Sequence, residues 1–267
     1  MTLRQSAVAA PVATSQIGAT TTAYWFLRVG AAMCFIGHGA FGFITKAAWL
    51  PYFALVGINE TWAYRLMPLV GTVDVVAGMA VLFAPRGLPL VYMAVWALWT
   101  ALLRPLTGES FFEAVERAGN YGVPFALLLL TAMPRTLGGL FSLLGGPSDS
   151  ERATVLTQRA LKWATVLLVF GHGALAVTAG NANLPNHLAA IGLPSGYSIP
   201  LGWFEIALAL AVAFWPRASL LIFIAVWKVS TEFMFVTAGA PVWEFVERFG
   251  SYTAPLALAW LTKLRRT

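Results

Sequence analysis

Phe35-Ile36-Gly37-His38-Gly39-Ala40 lies inside a long apolar run, and Val169-Phe170-Gly171-His172-Gly173-Ala174 repeats it 134 positions later. The chain has only 3 histidines. Two of them in one Gly-His-Gly setting mark the same point in two copies of one module. Further along, the offset becomes 131 and the matches continue. Gly71, Asp74, Pro85-Arg86 and Trp96 correspond to Gly202, Glu205, Pro216-Arg217 and Trp227. Glu113-Ala-Val-Glu-Arg117 corresponds to Glu244-Phe-Val-Glu-Arg248, and Gly119, Tyr121 and Pro124 to Gly250, Tyr252 and Pro255. The chain reads as an internal duplication.

The module is a membrane module. The 267 residues are 59% hydrophobic and only 10% charged. Soluble domains carry about 25% charged residues, so this chain has too little charge to cover a water-facing surface. The apolar runs are continuous, which favours helices over the alternating segments of a β-barrel. Each crossing needs about 20 apolar residues. On that basis the expected spans are 24–44, 63–83, 88–106 and a fourth from Tyr121 ending near Pro134 or Leu144. The second set is 158–180, 198–215, 220–238 and a short 251–264. The expected architecture is all-α, with eight transmembrane helices as two parallel-topology four-helix repeats. The expected units are a flexible N-terminal tail (1–22), a first repeat (23–136), a linker (137–157) and a second repeat (158–267). Residues 1–22 lack a compact apolar core before a cleavage site, so no cleaved signal peptide is expected.

Basic residues set the orientation. Arg4, Arg28, Arg86, Arg135, Arg152, Arg159, Lys162, Arg217, Lys263, Arg265 and Arg266 fall on one side of an eight-span chain. Lys46, Arg65, Arg117 and Arg248 fall on the other, among glutamates. Both termini are therefore expected on the cytoplasmic side of a bacterial-type inner membrane. The net charge of +6 forms no basic tract, so it belongs to topology and not to nucleic acid. Cys34 is the only cysteine, which excludes an internal disulfide and a CxxC redox pair; it reads as a small packing residue. No phosphate-binding Gly loop, GxSxG elbow or HExxH is present.

Ionisable residues at membrane depth are costly, and they are paired or functional where they occur. The set is His38, Asp74, Arg104, His172, Glu205, Lys228 and Glu232, and these are the ligand-binding candidates. Antiparallel neighbours are expected to bring His38 to Asp74 and His172 to Glu205. Such pairs fit four uses: a structural hydrogen bond, haem ligation between the repeats, a quinone pocket with proton exchange, or a metal site. No metal is assigned. Lys228 and Glu232 replace Ala97 and Ala101 and are spaced to pair with each other. Arg104 is expected to reach up to lipid headgroups. The two E-x-V-E-R stretches read as amphipathic surface or re-entrant helices, with Glu116, Arg117, Glu247 and Arg248 as outer-face candidates. Trp96 and Trp227 read as packing residues.

The Gly-flanked polar residue late in span one, the acid in Gly71-Thr72-Val73-Asp74, the Pro85-Arg86 loop and Tyr121-Gly122-Val123-Pro124 resemble the DoxX/DoxD-like membrane proteins. Here the unit stands as a fused tandem pair, whereas single units are usual. The resemblance implies an inner-membrane protein tied in some members to sulfur- or quinone-linked redox systems; it transfers no catalytic residue list. The expected function is a subunit or accessory of a membrane redox system with a ligand pocket between the repeats, haem or quinone being the candidate cofactors. A small-solute or proton transporter and a structural subunit of a larger membrane complex are the alternatives. The lipid bilayer and other membrane subunits are the expected partners.

Overall fold

A computed structural model describes residues 10–134, 136–178 and 183–263. Arg4, Arg135, Arg265 and Arg266 and residues 1–9 of the expected tail lie outside them. Among the described residues every regular element is a helix, with one isolated bridge between Arg86 and Leu143 and no strand. Six helices are long and apolar enough to cross a membrane, and they mark the chain as a helical membrane protein. These are α1 (Ala10–Phe43), α3 (Glu60–Phe83), α4 (Gly87–Leu106), α8 (Glu151–Val177), α10 (Ser198–Phe214, continuous with the 3-10 turn Ser195–Tyr197 before it) and α11 (Ala218–Thr237). Between them lie the short α2 (Leu50–Leu55), α5 (Phe111–Glu116), α6 (Ala118–Leu130), α7 (Leu137–Phe141) and α9 (Asn183–Ala190), and after them come α12 (Trp243–Val246) and α13 (Phe249–Lys263).

Local chemistry sets the ends. The Asn59 side chain accepts a hydrogen bond from Trp62 N–H to start α3, and Ser150 does the same from Ala153 N–H for α8. Such caps satisfy backbone donors that have no partner inside the helix. α3 stops at Phe83 before Pro85, and α10 at Phe214 before Pro216, because the residue before proline is driven out of the α region.

Three sequence expectations change. Residues 10–22 continue α1 and are not a tail. The linker is shorter than 137–157, since it holds α7 and since α8 begins at Glu151. The expected fourth and last spans contain α6, of 13 residues, and α13, of 15. At about 1.5 Å per residue, neither alone covers the ~30 Å hydrocarbon core.

Packing explains why those two helices can be short. α6 and α13 sit in the interior, where most of their side chains are buried. α13 packs on α1, and α6 packs on α8, so each half of the chain inserts its last helix against the other half's first. The exposed apolar surface therefore falls to other helices. About 61% of the spanning windows of α1 and α8 is buried, against 28–33% for α3, α4, α10 and α11. Leu69, Val76, Val95, Phe214 and Val226 are exposed on those four outer helices. That apolar surface would be unsustainable in water and is the expected surface in lipid.

The Gly-His-Gly stretches are junctions in this packing. A Cβ on Gly37 would overlap the backbone of Val246 and Glu247, and one on Gly171 the backbone of Val115 and Glu116. On the other side, a Cβ on Gly39 would lie 2.6 Å from the carbonyl oxygen of Gly71, and one on Gly173 2.5 Å from that of Gly202. Each histidine therefore sits between a neighbouring outer helix and the E-x-V-E-R turn of the other half. These turns lie inside the assembly and are not surface helices: Glu116 is only 8% exposed.

Candidate functional site

His38 Nδ1 lies 2.7 Å from Asp74 Oδ2, as the antiparallel α1 and α3 lead one to expect. The Tyr92 hydroxyl donates to the other oxygen, Oδ1, at 2.7 Å. Asp74 is fully buried, so these two donors stand in for its lost hydration. With Nδ1 donating to the carboxylate, His38 Nε2 is left as the free acceptor of the ring. The imidazole stacks on Trp49, with centroids 4.6 Å apart. Trp49 and Tyr92 carried no signal in the sequence, because aromatic residues are common in apolar runs.

His38 opens onto a cavity of about 340 Å³. Cys34, Phe35, Trp49, Phe53, Val70, Trp96, Ala97, Trp99 and Leu103 give it a mainly apolar wall. Lys46, Tyr52, Arg104, Arg117, Asn120 and Glu247 add a polar rim. Leu69 and Trp99 line it from α3 and α4 and are also exposed on those helices, so its edge meets the lipid-facing surface. The indole N–H of Trp96 is buried there and has no hydrogen-bond partner. An orphaned buried donor costs about 1–3 kcal/mol, which a bound acceptor would relieve.

His172 is built differently, and the expected His172–Glu205 pair does not form. Its Nδ1 is 3.2 Å from Glu116 and its Nε2 3.2 Å from Glu232. Glu205 instead accepts from Trp227 Nε1 at 2.9 Å and faces Lys228 at 3.4 Å. The reason is the lysine: where α4 has Ala97, α11 has Lys228, and its ammonium draws both Glu205 and Glu232. The expected Lys228–Glu232 pair does form, at 2.8 Å. Arg248 Nε reaches Glu232 as well, at 3.0 Å. Glu232 is thus held by ion pairs and not by well-aligned hydrogen bonds. Trp227, read from sequence as packing, is a hydrogen-bond donor.

These groups line a second cavity, of about 290 Å³, whose wall is largely charged. It shares Lys46, Trp49, Tyr52, Arg104, Arg117 and Glu247 with the first, so one layer of side chains separates the two. Arg104 is 3.1 Å from Glu109 and 3.7 Å from Glu113 and lines both cavities. Arg117 pairs with Glu113 at 2.7 Å and with Glu116. Arg248 pairs with Glu244 at 2.7 Å and Glu247 at 3.0 Å. Lys46, absent from the sequence candidates, crosses to Glu244 at 2.6 Å. The four outer-face candidates are therefore walls of an internal junction.

The charges at this end hold one another ionised. Burial works against the Glu244 carboxylate, but Arg248 and Lys46 overcome it and hold its pKa down to about 2. Burial likewise opposes the Arg248 charge, and Glu247, Glu232 and Glu244 raise its pKa above the ordinary arginine value. Arg117 is raised in the same way by Glu116 and Glu113. Burial pushes the Tyr52 phenol up to about 12; Arg104 opposes this and its hydrogen-bond partner Glu109 adds to it.

Comparison of the chain with protein-family models, with curated proteins and with solved structures found no match.

Proposed function

We propose that the protein is a tandem fusion of two DoxX/DoxD-like four-helix units, which crosses a bacterial-type inner membrane eight times and holds a quinone-class ligand beside His38 as an accessory of a membrane redox system. In this reading α6 and α13 form the fourth and eighth passes, both termini are cytoplasmic, and the repeats are parallel. The matched glycine junctions at Gly37 and Gly171 support the duplication. The observation that carries the ligand is the cavity of about 340 Å³ with an apolar body and His38 and Trp96 in its wall, His38 being held from behind by Asp74 and, through it, Tyr92. This is the lower end of the ~300–1,000 Å³ range of small-molecule sites. A quinone ring needs an apolar slot open to lipid, a donor for a carbonyl oxygen and a base for the quinol hydroxyl. Trp96 N–H is the donor and His38 Nε2 the base, with Asp74 stabilising the imidazolium that forms. Electrons pass to or from a partner subunit. A haem shared by the two histidines is disfavoured, because both ring nitrogens of His172 already face carboxylates.

The test is binding of a short-chain quinone to the protein in lipid nanodiscs, read by quenching of tryptophan fluorescence. Saturable binding is expected, weakened about tenfold or more by Trp96→Phe and abolished by the cavity-filling Ala97→Phe. Quenching that never saturates, or that Ala97→Phe leaves intact, removes the proposal. A second reading, proton or small-solute transport, is favoured by the buried Glu205–Lys228–Glu232 group. Proteoliposome flux that survives alanine at both Glu205 and Lys228 would count against it.

A further inference from the structure

The ring of His172 lies between two carboxylates that come from different halves of the chain. Glu116 of α5 faces Nδ1 and Glu232 of α11 faces Nε2, each at 3.2 Å. A neutral imidazole has one N–H and one bare nitrogen, so it can donate to only one of these oxygens. Its bare nitrogen would then face a carboxylate oxygen, acceptor against acceptor, among side chains 13%, 9% and 2% exposed. Both carboxylates have reasons to stay ionised. Arg117 pairs with Glu116, and Lys228 and Arg248 pair with Glu232.

We propose that Glu116, His172 and Glu232 form a proton-binding site that holds one proton beyond a neutral ring and two carboxylates, and exchanges it through the charged cavity. The proton rests on the ring as an imidazolium that donates to both carboxylates. The groups facing the ring pull both ways. Burial, Lys228 and Arg248 oppose a positive ring, while Glu232, Glu205 and Glu116 favour it. Arg117 and Glu247, which line the same small recess as His172, add one charge of each sign. Around the wider cavity, seven glutamates stand against five lysines and arginines. An imidazolium reduces that surplus of two negative charges to one. The charge excess and the two facing carboxylates therefore favour the same proton.

The site is independent of what occupies the apolar cavity beside His38. It gives the polar cavity a chemical role, as a place where a proton taken from the aqueous side is held between the halves.

Three histidines make the test direct. Protein with 15N-labelled histidine is placed in nanodiscs, and the His172 resonances are assigned by their loss in His172→Gln. The wild type at pH 7 is expected to show both ring nitrogens of His172 protonated. A neutral ring accompanied by an infrared band of a protonated carboxyl that disappears in Glu116→Gln or Glu232→Gln would also uphold the site, with the proton on a carboxylate. A neutral ring with no such band at pH 7 overturns the proposal without any variant. In Glu116→Gln the new amide can donate to Nδ1, so the ring should become neutral with its proton on Nε2. A ring that stays doubly protonated there overturns the shared site. Glu113→Gln, which leaves the ring's contacts in place, is expected to change neither signal.

Discussion

Gly171 packs directly on the backbone of Glu116, with no room for a Cβ between them, and Gly37 stands against Glu247 in the same way. The histidine next to each glycine is positioned by that contact. Alanine in a helix interior is ordinarily better than glycine by about 0.5–1 kcal/mol. Here the added methyl must displace backbone, and overpacking of that kind costs about 1–3 kcal/mol. Gly171→Ala and Gly37→Ala are therefore expected to lower the midpoint of thermal unfolding in detergent. Gly18→Ala, where nothing lies within 4 Å, is the control and should leave it unchanged or slightly raised. Equal effects at all three positions would show that the junctions are not tightly packed.

The Lys46–Glu244 bridge joins the two halves at 2.6 Å, and its contribution should depend on pH with a definite sign. The folded-state pKa of Glu244 is depressed from 4.5 to about 2. A depressed carboxylate stabilises the fold above its unfolded pKa and loses that stabilisation as pH falls through the folded value. The stability difference between wild type and Glu244→Gln should thus be full at pH 7, shrink from about pH 4.5 downward, and be nearly gone by about pH 2. Thermal unfolding of both proteins across that range measures it. A difference that does not change with pH would mean the carboxylate is not held by its two cations.

What was legible in the sequence was local. The apolar runs mark the six long helices, and the His38–Asp74 contact follows from two consecutive antiparallel helices joined by a loop. The His172–Glu205 expectation used the same rule and failed. Lys228, 23 positions further along the chain, captures Glu205, while Glu116 arrives from the other half of the chain. The E-x-V-E-R stretches look like surface helices because their charges share one face. That face meets the opposite charges of the other half, and periodicity along one helix carries no information about a partner that distant. The crossing of α13 onto α1 and of α6 onto α8 has the same origin. The cavities follow from it, since Ala97 leaves space where Lys228 fills it.

Asp74 should matter more to stability than either of its partners. Tyr92→Phe removes one hydrogen bond to a carboxylate, worth about 1.5–3 kcal/mol. Asp74→Ala removes two and leaves the Tyr92 hydroxyl and His38 Nδ1 without their partner, each stranded group costing about 1–3 kcal/mol. Denaturant titration in detergent should therefore rank Asp74→Ala well below Tyr92→Phe, and Tyr92→Phe below wild type. If Tyr92→Phe cost as much as Asp74→Ala, the arrangement would depend on the tyrosine's packing and not on the carboxylate it serves.

Lys228 and Glu232 are almost fully buried, each 1% exposed, and they stand where the first half has Ala97 and Ala101. Removing one partner of a buried ion pair costs about 3–5 kcal/mol, because an uncompensated charge remains, whereas replacing the whole pair by apolar residues is often neutral. Lys228→Ala leaves Glu205 and Glu232 facing each other without their shared cation and should be the worse single change. Glu232→Ala leaves Lys228 with Glu205 and should be milder. The double variant reproduces the alanines of the first half, so its loss should be smaller than the sum of the two single losses by more than about 1 kcal/mol. A double-mutant cycle by denaturant unfolding measures this coupling. Additive losses would show that Lys228 is held chiefly by Glu205, and that the close contact to Glu232 contributes little to the fold.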